Sequence, residues 1–108
     1  MTNQMKAAVL QAPRRFEVVE KPVPEPRHSE VLVRSNICGI CTGEIDMFEG
    51  RAVGLTYPRF IGHEVSGEIV ALGDDVDGLK EGDRVTVYVD GKGYAEYVAV
   101  PASCVVKL

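Results

Sequence analysis

Residues 59–73 read RFIGHEVSGEIVALG, a stretch in which a short loop gives way to an apolar run. Within that run, apolar and polar residues alternate with a period of two, which is typical of a β-strand with one buried face. His63 lies between Gly62 and Glu64, at the junction that follows the turn at Pro58. A histidine beside a residue without a side chain can be approached closely by other groups. The stretch therefore predicts a strand and, at its start, a candidate ligand.

The same alternation recurs along the chain and predicts further short strands. Dense turn signals, eleven Gly and six Pro, separate these segments, and no helical pattern recurs between consecutive strands. That arrangement favours an antiparallel barrel or sandwich over a parallel sheet with crossover helices. The predicted strands are KAAVLQ (6–11), RFEVVE (15–20), EVLVRSNI (30–37), GEIVALG (67–73), DRVTVYV (83–89) and GYAEYVAV (93–100).

One short helix is predicted at residues 41–50, CTGEIDMFEG. Ile45, Met47 and Phe48 are expected to share its buried face, and Gly50 is expected to end its last turn. The fold class predicted from these patterns is mainly β with few short helices.

Length and charge narrow the function classes. A chain of 108 residues favours a single domain. Its net charge of −4 and the absence of a basic run argue against nucleic acid as a partner. No apolar stretch approaches the roughly 20 residues that cross a bilayer, and the first residues lack a signal-peptide pattern. We therefore expect a cytoplasmic protein with no membrane association.

The three cysteines, Cys38, Cys41 and Cys104, do not form the even set of a small disulfide-rich protein. Two metal sites are compatible with the sequence: a closed structural site of the three thiols with His63, or a catalytic site in which one thiol of the CxxC pair joins His63 and other ligands come from outside residues 1–108. Cys104 lies in an apolar pattern that is more typical of a small buried side chain. A redox CxxC is disfavoured because it requires the start of a helix in a βαβ unit.

Two other ligand motifs are absent. The acidic loop GDDVDGLKEGD (73–83) lacks the first ligand and the final glutamate of a calcium loop. No GxGxxG motif occurs, because GKGYAE (91–96) has Glu96 at its last position. Residues 1–108 therefore encode no nucleotide-binding site.

The run PRFIGHEVSGEIVALGDDVDGLKEGDRV (58–85) resembles the zinc signature of the medium-chain, zinc-dependent alcohol dehydrogenases. GICTGEIDMFEG (39–50) is similar to the Gly-Ile-Cys segment of that family, and KAAVL near the start and GYAEYVAVPA near the end fit it as well. The resemblance implies that residues 1–108 form a GroES-like β-barrel, the catalytic, zinc-binding domain of an oxidoreductase. It also implies that a Rossmann domain binding NAD or NADP follows residue 108, in keeping with a sequence that stops on an apolar segment.

The resemblance assigns roles to individual residues. Cys41 and His63 are the implied zinc ligands, and a third ligand is expected from beyond this sequence. Glu44 is the implied carboxylate that orients His63 and raises its basicity. Glu64 is a candidate catalytic residue that approaches the metal during ligand exchange. The implied substrate is a small alcohol or carbonyl compound.

Two departures from the family pattern stand out. Gly43 occupies the position where a Ser or Thr usually relays the substrate proton, so Thr42 or a water is expected to take that role. Only six residues and no cysteine separate Val87 from Tyr94, so the lobe that binds a structural zinc in many relatives is missing, as in the shorter quinone-reductase-like branch. At most one zinc is expected.

Two further classes stay open at this point: a zinc-free, quinone-reductase-like member, and a non-enzymatic module that binds structural zinc or forms oligomers. Without the cofactor domain and the third ligand, residues 1–108 alone are predicted to be inactive. The full-length enzyme is expected to be a homo-oligomer.

Overall fold

The computed structural model describes residues 3–108. Strands account for 48% of the residues and helices for only 10%, which confirms the mainly β prediction. The elements in chain order are β1 Gln4–Ala12, β2 Arg15–Pro22, β3 Glu30–Gly39, α1 Thr42–Glu49, β4 Glu64–Leu72, β5 Arg84–Tyr88, β6 Tyr97–Pro101, a 3₁₀ turn Ala102–Cys104 and β7 Val105–Lys107.

The strands form two antiparallel sheets. β1 pairs with β2, and the second sheet has the order β6-β3-β4-β5-β7. β1 also reaches the loops that precede β4 and β6, because Ala8 N–H donates to the Tyr94 carbonyl at 2.8 Å and Leu10 N–H donates to the Arg59 carbonyl at 2.9 Å. The prediction of an antiparallel, mainly β architecture is therefore confirmed, and β1 connects the two loops that flank the candidate site.

The core explains why period two is so clear in the sequence. Successive side chains of a strand point to opposite faces, so on β4 Val65 and Ile69 are fully buried while Glu64 is exposed. The main core cluster comes from four strands, β3 to β6, and from the residue that follows β5: Val31, Val33, Val65, Ile69, Val85, Val87, Val89, Val98 and Val100.

Helix α1 forms and ends as predicted, but its buried face differs. Gly50 closes the last turn with a φ of 80°, a left-handed conformation that glycine adopts at little cost. Ile45 is 47% exposed, whereas Glu44 is only 3% exposed. The prediction that Ile45 shares the inner face with Met47 and Phe48 was wrong, because Glu44 is the residue three and four positions before that pair. A carboxylate thus takes the inward position at the start of the helix.

No helix within residues 3–108 is long and apolar enough to cross a membrane.

Candidate metal centre

The start of α1 brings a thiol and a carboxylate to one place. Cys41 is the residue that caps the helix, and its carbonyl accepts the N–H groups of Glu44 at 3.1 Å and of Ile45 at 3.2 Å. In return, Cys41 N–H donates to Glu44 Oε1 at 3.0 Å. This reciprocal pairing of a capping residue with the residue three positions later satisfies N–H groups that a helix leaves free at its start. The local sequence CTGE therefore fixes Cys41 and Glu44 relative to each other.

His63, just before β4, completes the cluster. Its Nδ1 lies 2.9 Å from Glu44 Oε2 and 4.0 Å from Cys41 Sγ. One possible ligand atom from each of these three residues lies within 4.8 Å of the other two. Three residues that the sequence singled out, Cys41, Glu44 and His63, are thus brought together from two segments of the chain.

Glu44 is almost fully buried, and a buried carboxylate requires hydrogen-bond partners to offset the loss of water. Oε1 accepts hydrogen bonds from Cys41 N–H at 3.0 Å and from the Tyr94 hydroxyl at 3.2 Å, and Oε2 faces His63 Nδ1. An ionised carboxylate can only accept hydrogen bonds, so Nδ1 carries the proton. In the neutral imidazole the other ring nitrogen, Nε2, then keeps its lone pair, which is the arrangement found in histidines that bind metals.

The backbone next to His63 is held by the segment that follows β5. The His63 carbonyl accepts Val89 N–H at 3.0 Å, and the Gly62 carbonyl accepts Gly93 N–H at 2.9 Å. The His63 ring lies 5.4 Å from the ring of Tyr88, centroid to centroid. The His63 backbone is therefore held by hydrogen bonds, while its side chain is 27% exposed.

Burial raises the pKa of two groups near this cluster, Tyr94 and Cys38. Burial, and then the negative charge of Glu44, raise the pKa of Tyr94 well above its usual range, so its hydroxyl stays protonated and donates. Burial also raises the pKa of the Cys38 thiol, an effect partly offset by a hydrogen bond from the Glu64 backbone. Cys38 Sγ lies 3.6 Å from the Gly39 carbonyl oxygen. Cys38 is therefore a protonated thiol.

The metal-ligand cluster found in residues 3–108 includes neither Cys38 nor Cys104. All three cysteines are free thiols and partly buried. The arrangement favours the site in which a single thiol joins His63 over the closed site with three thiols.

The remaining predicted residues lie around the cluster. Glu64 is exposed and pairs with Gly39 across β3 and β4, and the cluster in the described chain does not contain it. Thr42 is exposed at the first residue of α1. A Cβ placed on Gly43 would lie 3.7 Å from Cys41 Sγ, an ordinary contact, so the missing side chain at this position is not a steric requirement. The roles of Glu64 and Thr42 stay predictions.

Sequence reasoning missed Tyr94. Its segment, GYAEYVAV, was interpreted as a strand and as part of the family resemblance, and neither interpretation indicates a contact with a carboxylate 50 residues away. The one local signal is the glycine before it, Gly93, which allows the backbone to approach Gly62.

The donor set fits zinc. A thiolate and a neutral imidazole are usual zinc ligands, and a catalytic site supplies three protein ligands with one position left open. Cys41 and His63 provide one donor each, and the Glu44 carboxylate is already directed at Nδ1. The residues present can therefore hold one zinc ion together with a ligand from elsewhere.

Comparison with known proteins gives consistent matches. Residues 27–108 match the family model described as the alcohol dehydrogenase GroES-like domain. Sorbitol dehydrogenase of Bacillus subtilis is 40% identical over 88 residues, which cover 79% of this chain and 25% of that protein. An uncharacterised zinc-type alcohol dehydrogenase-like protein of Haemophilus influenzae is 38% identical over 88 residues, covering 81% of this chain and 26% of that protein.

Among solved structures, an alcohol dehydrogenase (rspB) from E. coli CFT073, complexed with NADH, superposes with a TM-score of 0.86 at 28% identity. The match covers 99% of this chain and 39% of that one. The chain spans about a quarter of the length of the curated relatives it matches.

Proposed function

The chain belongs to the alcohol dehydrogenase GroES-like domain family, and we propose that it is the catalytic, zinc-binding domain of an NAD(P)-dependent alcohol dehydrogenase. The observation that carries the proposal is the buried Glu44 carboxylate, which faces His63 Nδ1 at 2.9 Å beside the Cys41 thiol. Such a carboxylate–histidine pair prepares a ring nitrogen for a metal. A histidine that served only for packing would not require a buried carboxylate beside its ring.

In this proposal Cys41 Sγ and His63 Nε2 hold the zinc, and Glu44 orients the imidazole. Zinc, when bound there, supplies a Lewis acid that lowers the pKa of an alcohol or polarises a carbonyl. The Cys41 thiolate reduces the net charge of the site, and the hydrogen bond from Nδ1 to Glu44 orients the imidazole so that Nε2 is available to the metal. Thr42 and Glu64 are the neighbouring groups assigned to proton relay and ligand exchange.

The hydride acceptor, NAD or NADP, is bound by a second domain of the longer protein, which also supplies the third zinc ligand. Two observations support this division. Residues 1–108 contain no GxGxxG motif, and the matched relatives are about four times as long as the matched part.

The substrate class we propose is a small polyhydroxylated alcohol or its carbonyl product. Support comes from the relatives named as dehydrogenases of sorbitol and D-arabinitol.

The metal test is a zinc titration of the chain in competition with a chromophoric chelator. We compare the wild type with Cys41→Ser and with the double variant Cys38→Ser, Cys104→Ser. The expected result is at most one zinc per chain, bound weakly, lost in Cys41→Ser and retained in the double variant. Binding that survives Cys41→Ser but is lost in the double variant would show a structural site and overturn the proposal.

The activity test follows NAD(P) reduction at 340 nm with sorbitol and with simple alcohols. The full-length protein is expected to turn over and to lose activity with its zinc, whereas residues 1–108 alone are expected to be inactive. Full activity in a zinc-free full-length protein would instead identify a quinone-reductase-like member.

A further inference from the structure

The Tyr94 hydroxyl occupies a specific place at the metal centre. It donates to Glu44 Oε1, the same oxygen that accepts Cys41 N–H, while Oε2 is left to His63 Nδ1. Two donors on one oxygen fix the rotation of the carboxylate about its last bond, because that bond is otherwise soft. With Oε1 fixed, the direction of Oε2 is fixed as well.

We propose that Tyr94 is a positioning residue, whose hydroxyl holds the Glu44 carboxylate in the orientation that keeps the proton on His63 Nδ1. The inference rests on the proposed function, because a proton held on Nδ1 leaves Nε2 of His63 free to bind the metal.

The Tyr94 ring is itself held in place. Its backbone N–H donates to the Ile61 carbonyl at 3.3 Å, and its carbonyl accepts Ala8 N–H at 2.8 Å. One side of the ring lies against Gly62, where an added Cβ would come within 2.7 Å of Tyr94 Cδ1. Phe16 meets the ring edge-on, with centroids 6.0 Å apart. A hydroxyl on so constrained a ring is a fixed donor.

The aromatic contacts also connect Tyr94 to the helix that carries Glu44. Phe16 stacks on Phe48 of α1, with centroids 5.7 Å apart. Phe48 lies four residues after Glu44 and so on the same face of α1. The Tyr94 ring and the Glu44 carboxylate are therefore parts of one packed unit formed by α1, β2 and the segment before β6.

Loss of the hydroxyl would leave Glu44 charged and buried with two donors instead of three. The carboxylate could then turn, and the Nε2–H tautomer of His63, which cannot bind a metal through Nε2, would gain population. Removing a group that contacts a ligating histidine directly lowers metal affinity about 10–100-fold. Tyr94 acts one step further away, through a single hydrogen bond, so we expect about a 3- to 10-fold loss.

The test variant is Tyr94→Phe, which removes only the hydroxyl. Its control is Tyr57→Phe, because Tyr57 donates from a partly buried hydroxyl to the Met47 carbonyl of the same helix, at 2.8 Å. The first readout needs no metal: ¹⁵N NMR of the His63 ring gives the tautomer directly. The wild type and the control are expected to show the Nδ1–H form, and Tyr94→Phe a mixture with the Nε2–H form. An unchanged tautomer in Tyr94→Phe would overturn the proposal.

The second readout is zinc affinity by chelator competition. Tyr94→Phe is expected to bind zinc 3- to 10-fold more weakly, with no change in Tyr57→Phe. In a Glu44→Gln background the effect of Tyr94→Phe should shrink, since Tyr94 acts through the Glu44 charge. An equal effect in both backgrounds would show that Tyr94 acts by another route. If the wild type binds no zinc, the proposed function fails, and the NMR result still decides the role of Tyr94.

Discussion

Replacing Gly62 by Ala tests how the metal centre is built, because Gly62 lies between a ligand and the ring that supports it. Gly62 has a φ of 102°, which costs a residue with a Cβ about 1–2 kcal/mol. Its added Cβ would lie 2.7 Å from Tyr94 Cδ1 and 2.9 Å from the Tyr94 backbone nitrogen. Both distances are below what real side chains show, so Tyr94 must move, at a cost of about 1–3 kcal/mol. The free energy of unfolding should therefore fall by about 2–5 kcal/mol.

Gly54 offers a matched control. Its φ is 76°, and nothing lies within 4 Å of a Cβ built on it. Gly54→Ala should therefore cost only the backbone term, about 1–2 kcal/mol. The difference between the two variants, about 1–3 kcal/mol, measures the close approach of Tyr94 to Gly62. Urea unfolding of both variants gives this difference if the m-values agree with that of the wild type.

The same pair of variants links packing to metal binding. In Gly62→Ala the displaced Tyr94 hydroxyl moves away from Glu44, so zinc affinity should fall, while Gly54→Ala should bind zinc like the wild type. If Gly62→Ala cost no more than Gly54→Ala and kept its zinc affinity, the reasoning that packs Tyr94 against Gly62 would be refuted.

Two further predictions concern single groups. Glu44→Gln presents an amide to His63 and should weaken zinc binding about 10–100-fold. The control Glu49→Gln changes only the partner of Arg14 at the helix end and should not weaken it. Equal zinc affinities of the two variants in chelator competition would show that the charge of Glu44 is not needed. The raised pKa of Cys38 should place the midpoint of its alkylation rate against pH above that of a free cysteine, and its contribution to stability should be lost as the pH rises through that raised value. Mass spectrometry of the Cys38 peptide measures the rate, and a midpoint at or below that of the urea-unfolded chain would contradict the assignment.

The strands could be predicted because each buries one face. On β4, Val65 and Ile69 enter the core and Glu64 does not, which is the alternation visible in the sequence. The end of α1 could also be predicted from local sequence, because Gly50 supplies the left-handed residue that closes a helix.

The inward face of α1 could not be predicted in the same way. Hydrophobicity favours Ile45 over Glu44 as a buried residue, and the structure reverses them. Burial of Glu44 is stabilised by Tyr94, 50 residues away, and by His63, 19 residues away. A buried charge needs such partners, and a local pattern carries no information about partners that distant. The resemblance to a family indicated that Glu44 and His63 are near one another, but it gave no reason to include Tyr94.

The backbone of residues 61–63 shows how a metal ligand can be placed before a metal arrives. Three successive carbonyls, of Ile61, Gly62 and His63, accept N–H groups of Tyr94, Gly93 and Val89, respectively. The donors lie on one short segment that turns at Gly91 and Lys92, both with φ near 70°. His63 is thus fixed through its main chain on one side and through Glu44 on its ring. Metal sites require ligands placed to within about 0.5 Å. A segment of this kind, which positions the backbone of His63 and the hydroxyl that holds its carboxylate, can meet that requirement with the chain's own hydrogen bonds.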